Sequence, residues 1–324
     1  MAQLRETKGH CKMKMEPDRI SNLPDNIIDQ ILSHLSIRDA VRTSLLSSKW
    51  RYKWAMLSCL VFDDSSLPFS SQKHLKSNKF GSIIDRVLLL HFGPIHKFEL
   101  SQKWVVLRDH GVIDGWILHV SRNSTRTLYS MLIQPQSIGC LLCMLKPPPT
   151  FKGFRNLKSL KLQFVNLAQY VFENLISSCP VLERLNLGKL ESPTHLNINA
   201  PNLQFFNVDA FYLGINFENT TRLTEVTISF PFADYREYPS PAHKNSSNLL
   251  KFFDQLPHIR RLDISYCFLK VDLDELEENA VGTKTNFWED DHFNCLFTKL
   301  QLVKIINIGD FQPDFDFIEF MLSK

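Results

Sequence analysis

The clearest pattern of apolar and polar positions lies between Arg19 and Trp54, where it predicts three short helices. Leu23, Pro24, Ile27, Ile28, Ile31, Leu32 and Leu35 recur at helical spacing and fall on one stripe. Asn22 is placed to cap the first helix, with Pro24 near its first position, where a missing N–H costs nothing. Ser36 opens a second helix and forms a capping-box-like pair with Asp39; Ala40, Val41, Ser44, Leu45 and Ser48 make its buried side. Trp50 and Trp54 lie four apart, so both indoles share a helical face beside Arg51 and Lys53. Such stripes are ordinarily core. A unit of about forty residues is nevertheless too small to bury its apolar surface alone, so part of the stripe is expected to wait for a partner.

The rest of the chain becomes legible as a repeat. L-x-x-L-x-L, with aliphatic or Phe substitutions, occurs at Leu157-Leu160-Leu162, Leu182-Leu185-Leu187, Leu203-Phe206-Val208, Leu223-Val226-Ile228, Ile259-Leu262-Ile264 and Leu300-Val303-Ile305. The starts differ by 25, 21, 20, 36 and 41 residues. The first three intervals suit a leucine-rich repeat, and the last two carry insertions, one polar and proline-bearing (231–248) and one acidic (271–291). Upstream, Val87 to Leu90, Phe98 to Leu100 and Arg126 to Ile133 read as strands, and Ile113, Trp116, Ile117 and Val120 as a helix face. The expected fold class is mixed α/β: a three-helix N-terminal unit, then an irregular repeat solenoid with a parallel sheet on its concave face.

The residues at 18–28, with Leu23-Pro24 at their centre, and those at 31–35, 40–44 and 49–54 strongly resemble an F-box. More narrowly, together with 85–90, 93–98 and 146–154, they resemble the plant F-box/FBD/LRR-repeat proteins over most of the chain. Two departures stand out: only 134–145 occupies a place where the family pattern holds another strand-bearing repeat, and 315–322 resembles the first turns of an FBD motif whose closing strand is missing. The expected organisation is a basic tail without order at 1–16, an F-box at 17–63, connecting and first repeat-like units at 64–150, leucine-rich repeats at 151–309 and an incomplete FBD-like motif at 293–324.

The resemblance implies docking onto a Skp-family adaptor and, through it, a cullin. The adaptor-binding candidates are Leu23, Pro24, Ile27, Ile28, Ile31, Leu32, Leu35, Val41, Leu45, Trp50 and Trp54. Six basic and three acidic residues between Arg19 and Trp54 suit an acidic partner. The repeats are expected to hold an unknown protein substrate for ubiquitination, the chain itself being non-catalytic. The alternative is a repeat scaffold that binds or titrates the adaptor without ubiquitinating a target. In each repeat strand the leucines point inward, so the intervening residues make a polar strip. Its binding candidates are Lys161, Arg184, Phe205, Asn207, Glu225, Arg261 and Asp263, alongside Ser159, Gln163, Asn186, Asp209, Thr227, Ser229 and Ser265.

Composition narrows the alternatives. With 37 basic and 34 acidic residues, the net charge of +3 is too small to suggest nucleic-acid binding by the whole chain, and no run approaches the roughly 18–20 apolar residues of a membrane helix. Residues 1–16 are polar and basic without the apolar core of a secretion signal, so cytoplasm or nucleus is expected. The seven cysteines are then reduced rather than a disulfide framework. The 11 glycines form no phosphate-cradling motif, and Cys140 and Cys143 lack a second ligand pair. No hydrolase, metalloprotease or kinase signature is present. No metal or cofactor is expected.

Overall fold

Ser36 fixes where the second short helix begins, because its side chain caps that helix's first turn. The computed structural model of the chain describes residues 19–63, 66, 73–102, 110–132, 143–144, 149–188, 190, 195–209, 214–229, 252, 255–265 and 299–306. Helix α1 (Asp25–Ser33) buries Ile28 and Leu32, and α2 (Ile37–Arg42) buries Ile37 and Ala40. The Ser36 hydroxyl accepts the Asp39 N–H at 3.2 Å and donates to the Asp39 carboxylate at 2.9 Å. The expected pair therefore forms, with the shorter Asp closing onto the hydroxyl itself.

Two local expectations are corrected. Pro24, not Asn22, occupies the N-cap position of α1, and no side chain caps it. The third helix is replaced by 3₁₀ turns at Thr43–Leu45 and Lys53–Met56 joined through turns. Tertiary packing explains this: Trp50 is 2% exposed, and its indole N–H donates to the Ile20 carbonyl at 3.1 Å, pinning the end of the segment to its start.

The chain then runs directly into a sheet. Its elements are β1 (Cys59–Phe62), α3 (Lys73–Leu90), β2 (Lys97–Gln102), α4 (His110–Ser121), β3 (Thr127–Leu132), β4 (Cys143–Met144), β5 (Ser159–Gln163), β6 (Val165–Asn166), α5 (Gln169–Ser177), β7 (Arg184–Gly188), β8 (His195–Asn199), β9 (Phe205–Asp209), β10 (Gly214–Glu218), β11 (Glu225–Ser229), β12 (Arg261–Ser265) and β13 (Leu302–Ile306). Among the described residues the main sheet has nine strands in the order β1-β2-β3-β5-β7-β9-β11-β12-β13, every neighbouring pair parallel. Each of the six L-x-x-L-x-L matches supplies one strand of it.

Val87 to Leu90 is the end of α3 rather than a strand. Phe80, Ile84, Val87 and Leu88 are its buried side, at spacings of four, three and one, which is helical periodicity; the four-residue apolar run read alone is ambiguous. The Trp116 indole of α4 donates to the Asp85 carboxylate of α3 at 2.7 Å. The expected repeat at 134–145 and the FBD-like 315–322 lie outside the described residues, apart from the short β4.

Alternation sorts the strand residues into two faces. Leu160, Leu185, Phe206, Val226 and Leu262 align across the sheet and are all fully buried. Phe206 meets Phe217 of β10 edge-on at 5.2 Å, so the small β8–β10 sheet lies on this apolar side. Glu173 of α5 accepts from Asn197 of β8 at 2.7 Å, fixing the helix to the same layer. One continuous apolar cluster reaches from Ile28 and Trp50 to Ile264.

The loop ahead of β5 depends on Gly153, whose φ is +81° and whose missing Cβ leaves room for the Ser178 backbone at the end of α5. Gly153→Ala should lower unfolding free energy by about 2 kcal/mol or more, since left-handed strain and displacement of backbone add. Gly115→Ala, in α4 with nothing within 4 Å of the new methyl, should instead be neutral or stabilising by about 0.5–1 kcal/mol. Urea denaturation of the two variants checks both signs.

Candidate functional site

Two surfaces carry the residues singled out in the sequence. In the N-terminal segment the single stripe splits in two. Ile28, Leu32, Trp50 and Trp54 are buried in the chain's own core and are not presented at its surface. Leu23, Ile27 and Val41 are half-buried, while Pro24, Ile31, Leu35 and Leu45 are exposed, Leu45 to 87%. Ile20, Leu46, Tyr52 and Met56 join the exposed set. Sequence spacing missed them because they stand off the helical stripe, in turns.

The charges of this segment are partly spent within it. Asp25 receives Lys53 at 3.0 Å and Lys49 at 3.6 Å, and Lys49 also donates to the Leu23 carbonyl. The Lys53 hydrogen bond, then its charge, holds the Asp25 carboxyl below the usual range. Asp39 lies 3.6 Å from Arg42. The basic excess is thus presented chiefly by other cations, among them the exposed Arg19 and Arg51.

The second surface is the polar face of the sheet, where register brings the predicted residues side by side. Ser159, Arg184, Phe205, Glu225 and Arg261 form one row, and Lys161, Asn186, Asn207, Thr227 and Asp263 the next. Lys161 Nζ sits 4.5 Å from the centre of the Tyr129 ring, and the Arg184 guanidinium 4.7 Å from that of Phe205. Phe205 therefore stays on the polar face, half-buried, while its neighbour Phe206 enters the core. Asn207 donates to Asn186 at 3.3 Å, and among the described residues its own buried carbonyl oxygen has no partner.

The far end of the face departs from expectation. Arg261 donates through Nε and Nη2 to the Asp263 carboxylate at 3.1 and 2.9 Å, which raises its pKa further. Asp263 and Ser265 are in the outward register yet buried, so neither is part of an open strip, and among the described residues the buried Ser265 hydroxyl has no hydrogen-bond partner.

Chemistry of other kinds finds little footing. Burial pushes the Cys179 thiol up to about 12, leaving it protonated and inert at neutral pH, while Cys59 is exposed. Among the described residues no three potential ligands cluster to hold a metal, and no helix is long and apolar enough to cross a membrane.

A small helical unit with exposed apolar side chains, joined to a parallel sheet of L-x-x-L-x-L strands, is the arrangement expected of an F-box protein with leucine-rich repeats. Residues 20–62 match the F-box domain family, and 121–272 match the family described as "FBD-associated F-box protein At5g56370, LRR repeats". The chain is 34% identical to the F-box/FBD/LRR-repeat protein At1g13570 of Arabidopsis thaliana, covering 96% of this chain and 89% of that protein. It is 27% identical to the F-box/LRR-repeat protein At1g06630 over 82% of this chain and 72% of the relative, and 37% identical to the F-box/LRR-repeat protein At3g59210 over 53% and 40%, both also from Arabidopsis thaliana. The chain belongs to the plant F-box/FBD/LRR-repeat family.

His91, just after α3, joins that helix to the F-box: its Nε2 donates to the Leu57 carbonyl at 2.8 Å. Burial foremost, and the charge of His119 as well, depress its pKa below the ordinary imidazole value. The folded state thus binds fewer protons than the unfolded one, so this stabilisation is complete above the unfolded pKa and is lost as pH falls through the folded one. Melting temperature should drop between about pH 7 and 5, and His91→Gln, which retains a donor, should show a shallower decline in a pH series.

Proposed function

We propose that this chain is the substrate-recognition subunit of an SCF-type ubiquitin ligase. Its F-box, read as a compact form of the three-helix unit, binds the Skp-family adaptor and through it a cullin. Its repeats, read as an irregular solenoid with the sheet on the concave side, bind the target protein. The chain is non-catalytic and acts in the cytoplasm or nucleus, raising the effective concentration of the target beside the conjugating enzyme. The observation that carries this reading is the F-box match at 20–62 together with Ile31, Leu35, Leu45 and Leu46 standing exposed on that same unit. Apolar side chains clustered in so small a unit mark a docking surface.

Leu35→Asp and Leu45→Asp together should reduce adaptor capture by at least tenfold, about 1.4 kcal/mol, without altering the circular dichroism spectrum, because both side chains are exposed. Trp50→Ala should instead act through the fold, lowering the melting temperature. Undiminished capture by the folded double variant would sink the docking assignment. Reconstitution with adaptor, cullin and conjugating enzyme tests whether a captured protein is ubiquitinated.

A further inference from the structure

The polar face of the sheet is electrically divided. Two cations, Lys161 and Arg184, stand on the neighbouring strands β5 and β7, and a third, the exposed Lys304, lies far from them on β13, in register with Asp263. Each of the first two lies over an aromatic ring, and among the described residues neither has a carboxylate at ion-pairing distance. The next two strands carry the acids, Asp209 on β9 and Glu225 on β11. Beyond them Arg261 is ion-paired with Asp263, with Glu225 opposite it adding to its field, and Lys97 pairs with Glu99 at 2.8 Å on β2. From β5 to β11 the open charges therefore form one positive and one negative patch, with the Asn186–Asn207 amide pair between them.

We propose that this face binds an extended peptide segment of a partner protein that carries an acidic and a basic side chain about three residues apart. The proposal rests on the reading of the repeats as the target-binding part. Lys161 and Asp209 are two strands apart, and so are Arg184 and Glu225. At about 4.8 Å per strand that is roughly 10 Å, which a peptide in the extended polyproline II conformation covers in three residues of about 3.1 Å each, with both side chains on the same side. The ring beneath each cation holds its side chain down while leaving its outer side open to a carboxylate. The half-buried Asn186 amide, whose oxygen accepts one bond from Asn207, keeps an NH2 donor and a second lone pair for the backbone between the two charges. A nucleic-acid strand fits poorly, since Asp209 and Glu225 flank the cations and repel a phosphodiester chain.

The test is selection of a phage-displayed library of random nine-residue peptides on the immobilised full chain, with adaptor capture measured on the same preparations. Sequences pairing Asp or Glu with Lys or Arg three positions away should be enriched several-fold over pairs of like charge. Lys161→Glu with Arg184→Glu should abolish the acidic preference, while Lys158→Glu, on a lysine paired with Glu183, should leave it intact. Charge-indifferent enrichment, or enrichment that survives the double reversal, would overturn the proposal and leave target binding by the repeats standing. No enrichment from a chain that still captures adaptor would remove both. Lost adaptor capture with the acid–base preference retained would sink only the ligase reading. Binding of a twenty-nucleotide oligothymidine that is lost in the double reversal would overturn the peptide assignment.

Discussion

The structure depends on one repeated hydrogen-bonding step. Just before each strand of the main sheet, a single carbonyl accepts two successive N–H groups from the start of the next strand. Ser58 takes those of His96 and Lys97, His96 those of Arg126 and Thr127, Arg126 those of Lys158 and Ser159, and Lys158 those of Glu183 and Arg184. The pattern continues through Glu183, Gln204, Thr224 and Arg260. A slip of one residue anywhere would carry a whole strand's leucines to the polar face. The shared carbonyl fixes that register at the beginning of every strand, whatever the length of the connection before it. This is how connections carrying insertions as different as those before β12 and β13 still deliver their strands to the same sheet.

The first step of that series lies within the F-box. Ser58 and β1 fall inside the F-box match, so the sheet has its first edge in the F-box itself. Ala55 O accepts the N–H groups of both Phe92 and Gly93, and a side chain on Gly93 would collide with the Met56 backbone. Together with the His91 bond and the continuous apolar cluster, these contacts leave little room for a hinge. In the proposed ligase, a stiff joint holds the target at a set distance from the adaptor, and positioned transfer requires that constancy.

Much of this was legible in the sequence, and the failures share a cause. The six repeat strands could be found because period-two alternation with large inward residues has one structural meaning. Val87 to Leu90 misled because four apolar residues in a row carry no period. β1, β8 and β10 went unread because they lack the full L-x-x-L-x-L frame. In the F-box, spacing showed that Ile28, Ile31, Leu32 and Leu35 share a helix face, but not that Ile28 and Leu32 belong to the chain's own core while Ile31 and Leu35 remain outside. Pairing between distant charges was equally hidden: Asp25 meets Lys49 and Lys53 only after the chain turns back.

The same limit decides which part of the sheet face is available for recognition. Alternation assigned Lys161, Arg184, Glu225, Arg261 and Asp263 equally to the polar side, yet they are not equivalent. Arg261 spends two of its donors on Asp263, and that carboxylate is buried, so separating the pair would expose an uncompensated charge to a poorly solvated site. That pair is chemically closed. Lys161 and Arg184 are held only by ring faces, which orient a cation without neutralising it and leave its hydrogen-bond donors free. An incoming carboxylate there breaks no existing ion pair, which makes the stretch from β5 to β11 the part of the face where binding costs least.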